Sequence, residues 1–92
     1  MSEKKLIALV LCRHGRNGRK ALFYAPAYAD FERGQKVLVE TFSGGTERAT
    51  VCKSCVVEKD SDVEKMIRYI CHARNKKLKK VIKKLEFIEI GY

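Results

Sequence analysis

Residues 36–51 set the tightest limit on what this chain can fold into. Val37, Val39 and Thr41 alternate with Leu38 and Glu40, which puts β-branched side chains on one pleat face, the composition that strands favour. Ser43-Gly44-Gly45-Thr46 then reverses the chain, and paired glycines between apolar runs are a hairpin signal. The returning segment continues through Ala49 and Val51, and its alternation fades beyond Val51. Gly34 closes the polar run 30–35 and tolerates the positive φ that a turn into a strand often needs. A lone hairpin is marginal in water, so the remaining apolar segments must pack around this one.

Upstream, Leu6-Ile7-Ala8-Leu9-Val10-Leu11-Cys12 is an unbroken apolar run of strand length. It suits a strand buried on both faces or one crossing the core of a small barrel. The basic stretch 13–20 carries the hairpin pair Asn17-Gly18, and Ala21-Leu22-Phe23-Tyr24-Ala25 returns as a strand closed by Pro26. Downstream, Ser61 and Glu64 fit a capping box, and Asp60 and Asp62 favour the positive end of a helix. Val63, Met66, Ile67, Ile70 and Cys71 fall on one arc at about 100° per residue. The arc extends through Leu78, Val81, Ile82 and Leu85, so 61–85 reads as helical, either as one helix or as two broken at Asn75. Residues 85–90 read as a final strand. The expectation is an α+β fold in a single small domain, 1–92. A four-strand meander (6–58) forms a small antiparallel β-barrel or curled sheet, with a C-terminal amphipathic helix covering one end or face and a short last strand.

Charge narrows the function. Twenty Lys and Arg against eleven Asp and Glu give a net charge of +9, which favours an anionic partner: nucleic acid, an acidic protein surface or an anionic membrane. The membrane is the weakest of these, because Trp is absent and the apolar stripe of the helix is expected to be consumed by the barrel. The run 6–12 is far shorter than the roughly 20 residues that span a bilayer. No signal-peptide pattern surrounds it, so a cytoplasmic location is expected.

Two basic segments are the candidate nucleic-acid-binding residues. Arg13, Arg16, Arg19 and Lys20 surround Gly15 and Gly18, whose backbone N–H groups can approach an anion unobstructed, and arginine forks match phosphate geometry. Arg74, Lys76, Lys77, Lys79, Lys80, Lys83 and Lys84 follow one another with no acid between them. On a helix most of these lysines lie opposite the apolar arc, a basic face that neutralises phosphates without reading sequence. The plainer reading of both is solvated surface. Tyr24 and Tyr28 are the aromatics offered for base stacking, whereas Phe23 and Phe31 suit the barrel core. Cys52 and Cys55 have zinc-knuckle spacing, with Cys71 and His72 as further ligands. Strand alternation separates the first two and adjacency strains the last two, so reduced thiols, no metal and no cofactor are expected. Nothing orients a Cys-His pair for catalysis, and an enzyme is not expected.

The run 18–26, then Gly34 and Lys36-Val37-Leu38-Val39-Glu40-Thr41, then Gly45, Glu47 and Val51, resembles the amino-terminal barrel region of the polymerase-suppressor (PSP-type) bacterial proteins. It is more loosely similar to the front barrel of primosomal helicases. The likeness covers about residues 6–51, with Gln35 where that family usually has aspartate. It implies a small β-barrel and a non-enzymatic, complex-forming role around nucleic-acid metabolism, and it carries over no catalytic residue.

The chain therefore reads as a small basic binding module contacting nucleic acid, RNA or DNA, through the phosphate backbone. The alternative is a protein-interaction module, phage or mobile-element encoded, that docks on a larger host complex and modulates or inhibits it. Oligomeric state stays open.

Overall fold

The computed structural model describes residues 5–14, 18–41, 43–73 and 77–85. Its first strand, β1 (Leu6–His14), is apolar without interruption from Leu6 to Cys12, where both of its faces are covered. Ala8, Val10 and Cys12 face one buried cluster, while Ile7, Leu9 and Leu11 belong to a second. β1 forms a hairpin with β2 (Arg19–Pro26), registering His14 with Arg19 and Ile7 with Pro26. β3 (Lys36–Glu40) and β4 (Thr46–Glu58) form the second hairpin, turning through Gly44 at φ 88°. Gly34, also at φ 88°, donates its N–H to the Val51 carbonyl at 2.7 Å and so ties the entry of β3 to β4.

The strands close into a barrel in the order β1-β2-β5-β3-β4, where β5 is Lys79–Lys84. This corrects two expectations. The first four strands are not a meander, since β5 stands between β2 and β3, parallel to the former and antiparallel to the latter. The helical segment expected over 61–85 stops at α1 (Asp62–Ile70), and Lys79–Lys84 of the lysine-rich stretch beyond it is the fifth strand. Without β5, the facing edges of β2 and β3 would be left with unpaired backbone groups, which a helix at 79–84 could not satisfy. Val81 then fills the barrel interior while Ile82 stays exposed at a bulge, so the helical arc Leu78-Val81-Ile82-Leu85 does not form. Of the strand expected at 85–90, all but Leu85 lies outside the described residues; the Leu85 N–H reaches the Lys36 carbonyl at 2.9 Å.

Among the described residues the interior is built almost wholly from Ala and Val, with Phe23 as the one large buried side chain. Outside the barrel, Ile67 of α1 and Cys71 at its C-cap cover Leu9, Leu22 and Val57. The helix begins as its sequence requires: the Glu64 N–H donates to Ser61 Oγ at 3.2 Å, and the Glu64 carboxylate accepts from the Asp60 N–H. Buried to 5 % exposure, that carboxylate also accepts from Arg68 Nη1 at 3.2 Å. The helix ends in a Schellman turn, with the Ala73 N–H on the Arg68 carbonyl and the His72 N–H on that of Tyr69. His72 occupies the left-handed position at φ 59°, where glycine is usual.

Cys12 sits wholly inside the barrel, and its thiol is pushed up to about 12, by burial first and by neighbouring Cys52 second. Below the ordinary value of 9.0 the thiol is neutral in both folded and unfolded chains. Between there and about 12 only the unfolded chain ionises, so stability falls as pH rises, by about 1.4 kcal/mol per pH unit for this one group. In urea unfolding near pH 8 and near pH 10, the wild type is expected to lose about 1.4 kcal/mol more than Cys12→Ala. Parallel losses would place the thiol in water.

Candidate nucleic-acid interface

The parallel pairing of β2 with β5 decides where the cations go. Phe23 registers with Lys79 and Tyr24 with Lys80, so the start of β5 lies at the same end of the barrel as the β1–β2 turn. There Lys20 from the first basic segment and Lys77 and Lys79 from the second line one cleft of about 290 Å³, together with His14 and His72. The cleft is of mixed sign: Glu40 and Glu47 enter it from the β3–β4 hairpin. Glu47 Oε2 stands 3.4 Å from His14 Nδ1, which is buried and out of line for a hydrogen bond. Glu40 Oε1 accepts from the Lys80 N–H at 3.3 Å, taking the place of a ladder bond where β5 begins.

Farther along β5, Lys83 and Lys84 line a smaller cavity of about 150 Å³ with Pro26, Tyr28, Phe31 and Ile82, and none of the described residues lining it is acidic. Lys84 Nζ lies 5.3 Å from the centre of the Phe31 ring, a cation–π contact that holds the ammonium at the rim. Tyr24 and Lys80, cross-strand neighbours, are both exposed between the two cavities.

Of the cations named from sequence, Lys20, Lys77, Lys79, Lys80, Lys83 and Lys84 are thus strung along β5 and its neighbour. Arg13 and Arg19 are exposed at the hairpin end, and Arg13 Cδ lies against Gly18, 3.6 Å from where a Cβ would stand. Arg16, Arg74 and Lys76 lie outside the described residues. Phe23 is buried, as expected; Phe31 is half-buried and doubles as a core rim and a support for Lys84. The participation of Glu40 and Glu47, and the seating of Lys84 on Phe31, were missed from sequence, because each depends on neighbours far away in the chain.

The zinc candidates are scattered. Cys52 is the bulge residue of β4, between Val51, which registers with Cys12, and Lys53, which registers with Leu11. Cys55 registers with Leu9 on the helix side, near Cys71, whose thiol is raised by burial and then by Cys55. His72 turns to the mixed-sign cleft. Among the described residues, no group of three or more His, Cys, Asp or Glu side chains is placed to hold a metal ion.

The apolar arc of α1 is only partly consumed by the barrel, contrary to expectation. Ile67 and Cys71 are used, but Val63, Met66 and Ile70 remain 54 %, 59 % and 64 % exposed. Among the described residues, no helix is long and apolar enough to cross a membrane.

Fold and surface together define a small five-stranded closed barrel with one external helix and a lysine-lined strand. No family model, curated protein or solved structure matches the chain, so its resemblance to PSP-type barrels rests on the residues that carry it.

Proposed function

We propose that this chain is a small, non-enzymatic cytoplasmic module that binds nucleic acid through the phosphate backbone. One observation carries the reading: the two basic segments, about sixty residues apart in the chain, meet at Lys20, Lys77 and Lys79 and continue along β5 to Lys83 and Lys84. A row of lysines on a rigid strand neutralises successive phosphates without reading bases. Glu40 and Glu47 weaken the cleft for an anion and leave Lys83 and Lys84 as the stronger part of the surface. The resemblance to PSP-type barrels supports the same role. With Lys20, Lys77, Lys80, Lys83 and Lys84 engaged, log K should fall against log salt with a slope of about −3.5 on single strands, read by fluorescence anisotropy. No salt-sensitive binding at low ionic strength ends the reading.

A second reading is favoured by a different surface. Val63, Met66 and Ile70 form one exposed stripe on α1, and such a stripe suits docking on a partner protein, as a phage or mobile-element product that modulates a host complex would require. Pull-down with and without nuclease separates the two. Partners that survive nuclease and are lost in Met66→Asp favour docking; partners that vanish with nuclease favour nucleic acid.

A further inference from the structure

We infer that the cavity beside Tyr28 is a base-stacking site, so that the partner is a single-stranded polynucleotide and not a duplex. The inference rests on the nucleic-acid reading above and deepens it. β2 ends at Pro26, and the chain turns there with the Ala29 N–H on the Pro26 carbonyl at 3.0 Å. The turn presents Tyr28 with 88 % of its surface exposed, and the ring joins neither buried cluster. It therefore does no packing that would explain a large aromatic side chain at this position. The adjoining cavity has an apolar floor, Ala25, Pro26 and Ile82, and a cationic rim, Lys83 and Lys84.

An exposed ring, an apolar floor and ammonium groups at the edge are what an unpaired nucleotide needs. The base gains a π-face and the phosphate gains a counter-charge. The same pairing occurs a step back along the strand, where Tyr24 registers with Lys80. At about 3.3 Å per residue, β5 runs for about 17 Å, so both ring-and-lysine units border the same short strand. A duplex offers its phosphates to this strand but keeps the faces of its bases stacked within. It gains the electrostatic contribution alone, whereas a single strand gains both. The mixed-sign cleft supplies no such site, because Glu40 and Glu47 sit among its lysines and no exposed Tyr or Phe is among its described lining residues.

The test is anisotropy of the full chain on labelled oligonucleotides of about 12 residues, as single-stranded DNA, single-stranded RNA and the matching duplex. Single strands of at least one polymer are expected to bind about tenfold more tightly than the duplex. Tyr28→Ala should weaken single-strand binding about tenfold and leave the duplex unchanged, with Tyr28→Phe restoring it. Because Tyr28 is so exposed, the variants should fold, which circular dichroism checks. Equal loss on single strand and duplex, no loss in Tyr28→Ala, or a preference for duplex overturns the stacking site while leaving phosphate binding standing. If no oligonucleotide binds in a salt-sensitive way, the nucleic-acid reading itself falls.

Discussion

Replacing Lys80, Lys83 and Lys84 together by alanine is expected to lower affinity for a single strand about a hundredfold at 0.1 M salt. Each lysine-phosphate contact on a single strand contributes about 0.7 to the slope of log K against log salt. Losing three makes the slope shallower by about two, which at 0.1 M is about two decades in K. The lysines are exposed on an already paired strand, so their removal should leave thermal stability within about 0.5 kcal/mol. A matched control separates a local site from bulk charge. Lys53, Lys59 and Lys65 are also exposed, line neither cavity, and carry the same three charges. Their triple alanine variant should lose less than about tenfold, since charges beyond a Debye length of about 10 Å at this salt are largely screened. Equal losses in the two variants would mean that net charge, not the β5 surface, attracts the ligand.

The second large effect concerns the fold. Leu9 is wholly buried in the outer cluster, where Leu22 and Val57 of the barrel meet Ile67 of α1 and Cys71 at its C-cap. Leu9→Ala removes its transfer energy and leaves a cavity that a rigid barrel wall cannot close, at a cost of about 3 kcal/mol. For a chain of this size that lowers the melting temperature by about 15 °C. Val63→Ala, on the exposed side of the same helix, should cost about 0.5 kcal/mol or less. Similar small effects at both positions would mean that α1 does not pack on β1.

Much of this architecture was legible because it is local. The β3–β4 hairpin, the β1–β2 hairpin and the capping box at Ser61 and Glu64 each lie within a few residues, and the structure bears them out. The unbroken apolar run 6–12 correctly implied a strand covered on both faces. The fading alternation after Val51 was also a true signal, of the bulge at Cys52. What escaped was set by distant partners. Leu78, Val81, Ile82 and Leu85 satisfy a helical period, and short apolar runs do not separate helix from strand by period alone. The vacant edges of β2 and β3 decided the matter. The end of α1 was hidden because His72, not glycine, takes the left-handed position. The basic residues of the site were visible one by one. Their meeting was not, since it follows from a parallel pairing between segments more than fifty residues apart, and the same pairing brings Glu40 and Glu47 among them.

The most direct measurement of that meeting is an amide chemical-shift titration of the full chain with a short single-stranded oligonucleotide. Shifts should concentrate together on Lys20 to Tyr24 of β2, on Tyr28, and on Lys77 to Lys84, fading as salt is raised. Shifts confined to α1 around Met66, or to one basic segment without the other, would contradict a continuous phosphate-binding surface along β5.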